Sequence, residues 1–197
     1  MGTHAGYNNT DGYLNIFLGV LAGTYNTTGD RNIFIGQASG YQNDTGSYNV
    51  FIGDRSGLLN RYGESNVFLG WQAGYFNSNG SENVFIGKEA GFYHENGSSN
   101  IFIGTGAGYA ENGSNKLIIE NSSVDSSQAL IYGEFDNNLL SFNADVGIGT
   151  TTPDKKLHVV GDARITGNLY YGTGTNTYTK PDFVFEEGYS SHYSILE

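Results

Sequence analysis

A five-residue pattern of polar and apolar positions, Asn-(Val/Ile)-Phe-(Ile/Leu)-Gly, recurs six times along the chain at intervals of 17 residues. Fixed self-similarity at such a period is typical of repeats that stack into a solenoid. We number the repeat from position 1, the asparagine, to position 17. The asparagine, phenylalanine and glycine of the six copies are Asn15, Phe17, Gly19, Asn32, Phe34, Gly36, Asn49, Phe51, Gly53, Asn66, Phe68, Gly70, Asn83, Phe85, Gly87, Asn100, Phe102 and Gly104.

Each pentapeptide predicts a short β-strand, because β-branched and aromatic residues form a run bounded by Asn and Gly. Side chains alternate across a strand, so Ile16 and Leu18 share one face. Asn15 and Phe17 share the other. Since both faces carry apolar side chains, the strand has to be covered on both sides. One face can point into the coil, and the other is expected to pack against an identical chain.

Further columns of residues recur in phase with the pentapeptide. Glycine recurs at positions 9 and 15, where the backbone is expected to turn. These two turn signals predict two short strands in each coil. Stacking in register is expected to align like residues along the axis. The columns concerned are a second asparagine column, Asn9, Asn26, Asn43, Asn60 and Asn77, and an aromatic column, Tyr7, Tyr41, Tyr75, Phe92 and Tyr109.

The predicted fold is all-β: a 17-residue-repeat β-solenoid or β-roll, intertwined or packed as a homotrimer and followed by a small β-rich module. A 17-residue coil encloses little volume, so one chain buries little apolar surface. Each Å² of apolar surface buried stabilises the fold by about 25 cal/mol. Ordering the backbone costs about 1–2 kcal/mol per residue. Association of three chains would bury the second apolar face and offset that cost. A monomeric solenoid is the alternative.

The 17-residue period ends after Asn115, which predicts three regions. Residues 1–115 form the repeat shaft, 116–145 the capping strands and a β linker, and 146–197 a β-rich module. No helix is expected in any of them. Strands are predicted at Leu117–Glu120, Ala129–Phe135, Leu139–Phe142, Val146–Ile148, Lys156–Val160, Ala163–Leu169 and Phe183–Phe185.

Composition narrows the classes of function. The chain has 197 residues, no cysteine and a net charge of −11. The absence of cysteine excludes disulfides and thiolate chemistry. The charge argues against a nucleic-acid partner, which requires clustered Lys and Arg. No apolar run approaches the roughly 20 residues of a membrane-spanning helix, so no membrane insertion is expected.

The sequence contains no recognisable catalytic or metal-binding pattern. The four histidines have no metal-ligand spacing. The string Gly147-Ile-Gly-Thr150 lacks the Lys-Ser/Thr and the following helix of a phosphate loop. We therefore expect no cofactor, no bound metal and no enzymatic activity.

Two residues stand out as candidate binding residues. Trp71 is the only tryptophan and occupies position 6, where other copies carry small or polar residues. His94 replaces asparagine in the second asparagine column. Each residue has a structural role as the alternative to binding. For Trp71 the alternative is packing under a neighbouring loop, and for His94 it is a tolerated substitution within the ladder. The residues expected to point outward for contacts are Arg31, Arg55, Arg61, Trp71, Gln72, Lys88 and His94.

The second half carries a resemblance to bacterial and phage tail-fibre-domain proteins. It lies in Val146-Gly-Ile-Gly-Thr-Thr-Thr-Pro-Asp-Lys-Lys-Leu-His-Val159 and Gly161-Asp-Ala-Arg-Ile-Thr-Gly-Asn-Leu169. Lys116-Leu-Ile-Ile-Glu120 and Leu130-Ile-Tyr-Gly-Glu-Phe-Asp136 look like the linker of the same family. These proteins place Asn-Val-Phe-Ile-Gly repeats upstream of an endosialidase-type intramolecular chaperone. They are similar to the heads of trimeric autotransporter adhesins.

The resemblance implies an elongated, trimeric, extracellular protein on a bacterial cell surface or a phage or phage-tail-like particle. Residues 180–189 look like the lead-in to the chaperone, whereas residues 190–197 depart from its helical continuation. The chaperone itself is therefore expected to be missing from this sequence.

The expected function is structural and adhesive. The chain would be a segment of a trimeric fibre that gives reach and attaches to a host or surface. Its partners would be two further copies of itself and a cell-surface glycan or protein receptor. Two alternatives stay open, a polysaccharide-degrading tail spike and a subunit of a head-to-tail filament.

Overall fold

The repeats fold into a β-solenoid in the computed structural model, which describes residues 2–164 and 166. Each pentapeptide contributes one three-residue strand that pairs in parallel with the next, phenylalanine opposite phenylalanine. One 17-residue repeat is therefore one turn of the solenoid, and the predicted all-β solenoid is confirmed. The strands are β1 (Ile16–Leu18), β2 (Ile33–Ile35), β3 (Val50–Ile52), β4 (Val67–Leu69), β5 (Val84–Ile86) and β6 (Ile101–Ile103).

The sheet continues beyond the last pentapeptide and then reverses direction. A seventh parallel strand pairs with β6 and places Ile118 opposite Phe102. After a single 3-10 turn at Ser126–Gln128, a β-hairpin adds two antiparallel strands to the sheet. Two further strands form a separate parallel pair. These elements are β7 (Lys116–Ile119), β8 (Ile131–Glu134), β9 (Leu139–Phe142), β10 (Val146–Ile148) and β11 (Leu157–Val159).

Most strands predicted after the repeats lie where the sequence places them. β9 and β10 have the predicted bounds, β8 and β11 are shorter, and β7 begins one residue earlier than predicted. Ala163 and Arg164, the start of the strand predicted at Ala163–Leu169, lie outside any strand. Apart from Thr166, the rest of that segment lies outside the described residues. So does the strand predicted at Phe183–Phe185.

Each coil contains one strand, so the prediction of two strands was wrong. The backbone has positive φ at four positions of the repeat, which ends any extended run. Positions 5 and 9 carry glycine, as in Gly53 (φ 138°) and Gly57 (φ 57°). Positions 7 and 17 carry residues with side chains, as in Arg55 (φ 54°) and Tyr48 (φ 61°). Left-handed residues cannot continue a strand, so the rest of each coil consists of turns.

The interior of the solenoid is a column of phenylalanine rings from position 3. The rings are fully buried from the second coil onward. Phe51 and Phe68 stack with centroids 4.7 Å apart and planes 5° apart. Phe85 and Phe102 stack at 4.6 Å and 3°. Each ring covers the glycine of position 9, and a Cβ on Gly57 would lie 2.4 Å from the ring of Phe51.

Two buried asparagine ladders run through the interior beside the phenylalanine column, as the sequence predicts. At position 12, Nδ2 of Asn43 donates to Oδ1 of Asn26 at 2.7 Å and to the Gly46 carbonyl at 2.8 Å. At position 1, Oδ1 of Asn49 accepts the backbone N–H of Asn66 at 2.9 Å. Buried polar groups are costly unless they are hydrogen-bonded, and the two ladders bond the amides from coil to coil.

The predicted aromatic column forms only in part. Rings of position 10 stack in the last three coils, with Tyr75 and Phe92 at 5.0 Å and Phe92 and Tyr109 at 5.3 Å. Tyr41 instead meets the edge of Tyr25 at 5.0 Å and 87°. Thr24 and Leu58 occupy position 10 in the coils on either side of Tyr41, so the column is interrupted there.

Candidate interaction surfaces

An aliphatic face runs along the outside of the parallel sheet. Its side chains come from positions 2 and 4, which point away from the phenylalanine column because side chains alternate across a strand. Ile52 is 40% exposed and Ile86 is 37% exposed, and the others are half-buried or exposed. Contiguous exposed apolar surfaces are a feature of protein interaction sites, so this face is a candidate for one. The aliphatic face consists of Ile16, Leu18, Ile33, Ile35, Val50, Ile52, Val67, Leu69, Val84, Ile86, Ile101 and Ile103.

The strands after the solenoid also leave apolar side chains uncovered. In the β8–β9 hairpin, Leu140 is 55% exposed, and in β11 Leu157 is 61% exposed. Leu139, Phe142 and Ile148 are exposed as well. An isolated two-stranded sheet such as β10–β11 is marginal in water. Among the described residues, this region therefore buries too little apolar surface to account for its own stability.

An open groove of about 410 Å³ crosses coils at positions 10 to 14 of the repeat. The groove lies on the opposite side of the coil from the strands. The interior separates them, because side chains of position 1, next to the strand, meet side chains of position 12, next to the groove. Asn32 Nδ2 and Asn26 Oδ1, for example, are 3.4 Å apart. The groove is lined by Tyr25, Thr27, Tyr41, Gln42, Asp44, Arg61 and Tyr62.

Polar groups inside this groove are held in place by neighbouring side chains. Nε and Nη2 of Arg61 both donate to Oε1 of Gln42, at 3.3 and 3.2 Å. Within the described residues, Arg61 forms no ion pair. Oδ1 of Asp44 accepts the hydroxyl of Thr27 at 2.5 Å. The hydrogen bond with Tyr25, together with partial burial, raises the pKa of Tyr41 above its ordinary value, so this phenol is neutral at physiological pH.

Trp71 lies at the surface and is 40% exposed. Nζ of Lys88, one coil further on, lies 5.0 Å from the centre of the indole ring. Such a cation–π contact contributes about 0.5–1 kcal/mol at an exposed site. The indole is therefore accessible on one side, and its role as a contact residue stays a prediction.

His94 lies in the interior, so the expectation that it points outward was wrong. Its side chain is fully buried at position 12 of the ladder. Nε2 lies 2.8 Å from the Gly97 carbonyl, and Nδ1 contacts the carbonyl of Glu111. Burial lowers the pKa of His94, and its contacts with these carbonyls oppose that effect without reversing it. A residue enclosed in this way cannot contact a partner at the surface.

Most of the other residues predicted to point outward do so. Arg31 lies between two tyrosines, with its guanidinium 5.0 Å from the Tyr13 ring and 5.3 Å from the Tyr48 ring. Arg61 and Lys88 are exposed, and Arg55 and Gln72 are half-buried. Of these residues, Arg61 lies in a concave site.

Sequence reasoning missed the remaining groove residues. They occupy positions 10, 11, 13 and 14, where the repeat varies from copy to copy, and they come from different coils. One signal in the sequence pointed to the groove. Aromatic and charged residues occupy equivalent positions of adjacent repeats, as Asp44 and Arg61 do at position 13.

Two other features are absent from residues 2–164 and 166. No cluster of His, Asp and Glu there could hold a metal ion. No helix in that part of the chain is long and apolar enough to cross a bilayer. No known protein family, curated protein or solved structure matches the chain.

Proposed function

We propose that this chain is a structural and adhesive segment of an extracellular homotrimeric fibre. In this proposal the solenoid gives reach and rigidity, and outward side chains contact a glycan or protein on the target surface. The fibre belongs to a bacterial cell surface or to a phage or phage-like particle, as the resemblance to tail-fibre-domain proteins suggests. The chain itself performs no catalysis.

The observation that carries the proposal is the aliphatic face. A parallel sheet is ordinarily covered on both sides. Here Phe51 and its equivalents cover the inner side, whereas Ile52 and its equivalents stay in contact with water. The face repeats every coil without a charged residue, so its best-matched cover is the same face, or another apolar face, of an identical chain.

The exposed side chains of β8 to β11 support the same assembly. Leu140, Phe142 and Leu157 enter no interior formed by the residues that the structure describes. Three chains that intertwine or pack in this region would provide one. Both apolar surfaces lie on consecutive parts of the chain, so a single parallel bundle could cover them together.

The two alternatives have less support. A polysaccharide-degrading tail spike needs a pair of carboxyl groups facing each other across a substrate site. The groove contains one carboxylate, Asp44. A head-to-tail filament would use the ends of the solenoid and would leave the aliphatic face in water.

The mass of the assembly in solution tests the proposal. Light scattering and sedimentation equilibrium should give three times the chain mass of 21.3 kDa, without growth over time. A monodisperse species of 21.3 kDa contradicts the trimer. Polymers that lengthen with concentration favour the filament. Release of soluble sugar from capsule or lipopolysaccharide favours the tail spike.

A further inference from the structure

We propose that the groove formed by Tyr25, Thr27, Tyr41, Gln42, Asp44, Arg61 and Tyr62 binds a neutral hexopyranose unit of a glycan. This inference rests on the proposed adhesive function, because it names the class of ligand that the fibre would contact. It places that contact on the side of the coil away from the aliphatic face, where assembly would leave it accessible.

The dimensions of the groove suit one sugar ring held from one side. Its volume of about 410 Å³ lies in the range of small-molecule sites. Its rim is open, since Tyr25 is exposed and Tyr62 is 51% exposed. An open site of this volume fits a unit within a longer chain better than an enclosed small molecule, because the rest of the glycan can leave through the open side.

The tyrosines supply the apolar contact that a pyranose needs. One face of a pyranose presents C–H groups, and the face of an aromatic ring carries the negative part of its quadrupole. Tyr41 holds Tyr25 edge-on at 5.0 Å, which fixes the ring of Tyr25 relative to the groove. Tyrosine also offers a large contact area with few rotatable bonds, so little conformational entropy is lost on binding.

Arg61 and Asp44 supply the polar contacts. A sugar hydroxyl both donates and accepts, so a matched site presents a donor and an acceptor. Arg61 is oriented by its two hydrogen bonds to Gln42, and its remaining N–H groups can donate to the ligand. Asp44 is oriented by Thr27 through Oδ1, and its second oxygen can accept. Orientation of both groups before binding lowers the entropic cost of binding.

The charges favour a neutral sugar over an acidic one. Asp44 would repel a carboxylate or sulfate placed beside Arg61. The chain as a whole carries a net charge of −11, which also repels acidic glycans at long range. A neutral ring that hydrogen-bonds both side chains encounters neither repulsion.

Titration of the full chain with simple sugars tests the inference. The probes are the methyl glycosides of mannose, galactose and glucose, with glucuronic acid as the acidic comparison. Saturation-transfer NMR should detect a neutral glycoside with a dissociation constant on the order of millimolar, as suits an open site with few contacts. Arg61→Met and Tyr62→Ala should each weaken binding by about tenfold or more, because each removes a principal contact.

The matched control is Arg31→Met, which removes an arginine that also lies among tyrosines but outside the groove. The affinity of this variant for the neutral glycosides should equal that of the original chain. The inference is overturned if none of the three neutral glycosides binds at about 50 mM. It is also overturned if Arg61→Met and Tyr62→Ala bind as the original chain does, or if glucuronic acid binds more tightly than the neutral probes.

This experiment separates the groove from the assembly. All seven lining residues belong to one chain, so sugar binding does not depend on the trimer. Binding by a chain that sediments as a monomer would support the groove and contradict the proposed fibre. A trimer that binds none of the sugars would contradict the groove alone.

Discussion

His94 interrupts the buried ladder at position 12. In earlier coils, Nδ2 of each asparagine donates to Oδ1 of the preceding one, as Asn77 does to Asn60 at 2.7 Å. The imidazole provides no such donor, and Oδ1 of Asn77 is buried without a hydrogen-bond partner. Both imidazole nitrogens face carbonyl oxygens, of Gly97 and Glu111. A neutral imidazole has one N–H, so one of these two carbonyl oxygens faces the lone pair of the other ring nitrogen and receives no hydrogen bond from it.

We predict that His94→Asn stabilises the protein. The new Nδ2 would restore the donor to Oδ1 of Asn77, and satisfying a buried acceptor is worth about 1–3 kcal/mol. Urea-induced unfolding at neutral pH should show an increase of about 1–2 kcal/mol in the free energy of unfolding. A lower value for the variant would contradict this interpretation of the ladder.

The same substitution should remove an acid-sensitive component of stability. Burial lowers the pKa of His94 below 6.5 in the folded protein. Below pH 6.5 the unfolded chain therefore binds a proton before the folded protein does, and the free energy of unfolding falls as the pH falls. His94→Asn should therefore reduce the slope of the free energy of unfolding against pH between about pH 7 and pH 5. His4→Gln, which removes an exposed histidine, should leave the slope in place.

At the scale of the element, each coil depends on the contact between position 3 and position 9. Gly57 has φ 57°, and a Cβ there would lie 2.4 Å from the ring of Phe51. The ring cannot move aside, because Phe34 and Phe68 stack on its two faces at 4.9 and 4.7 Å. The glycine of position 9 is therefore required both by backbone conformation and by space.

We predict that Gly57→Ala destabilises the solenoid by about 3 kcal/mol, of which left-handed strain contributes about 1–2 and overpacking about 1–3. Thermal unfolding followed by circular dichroism measures the effect. A double-mutant cycle with Phe51→Leu identifies its origin. The two changes should cost less together than the sum of their separate effects, because the smaller side chain relieves the clash. Full additivity would exclude the ring as the cause.

The β7–β8 junction depends on a small polar network. Nζ of Lys116 lies 2.7 Å from Oε1 of Glu134, which also accepts the hydroxyl of Tyr132 at 2.6 Å. The hydrogen bond from Lys116, with those from Tyr132 and Asn137, lowers the pKa of Glu134 from 4.5 to about 2. The ion pair therefore attaches the hairpin to the solenoid at neutral pH and across the mildly acidic range.

We predict that the β8–β9 hairpin loosens as the pH falls from 4.5 towards 2. Because the pKa of Glu134 is lowered to about 2 on folding, the stability that this group contributes is complete above pH 4.5 and is lost as the carboxylate becomes protonated. The protection factors of amides in Leu139–Phe142, which correct for the intrinsic pH dependence of hydrogen exchange, should fall over this range. Glu134→Gln should show fast exchange already at neutral pH, and Glu64→Gln, at an exposed site, should not.

The sequence predicts the parts of the fold that depend on identity between repeats. Phe51 and Asn49 recur at the same positions in every copy, so the stacked rings and ladders follow from the 17-residue period. The single strand in each coil could not be predicted, because Arg55 and Tyr48 adopt positive φ without any sequence signal for it. The groove could not be predicted either, since it combines side chains from several coils at variable positions.

At the scale of the whole molecule, the apolar surface is unevenly distributed. The phenylalanine column and the asparagine ladders are buried within one chain, whereas the aliphatic face and the strands after the solenoid are not. Charged side chains such as Arg61 and Lys88 lie elsewhere on the coil. The solenoid therefore has an apolar side and sides that carry charged groups suited to water, which is the distribution that the proposed bundle requires.

The last prediction tests whether the aliphatic face is an interface between copies of this chain. Ile52→Lys places a charge in the middle of that face while Phe51, its neighbour in β3, stays in the interior. Burying an unpaired ammonium in an apolar interface is costly, so the assembly should dissociate to a folded species of 21.3 kDa. Gln37→Lys makes the same change of charge at an exposed residue outside the face and should leave the mass unchanged.

Sedimentation equilibrium gives the mass of both variants, and circular dichroism shows whether each keeps its β structure. If Ile52→Lys stayed assembled as the original chain does, the aliphatic face would not be the interface, and the exposed side chains of β8 to β11 would be the next surface to test.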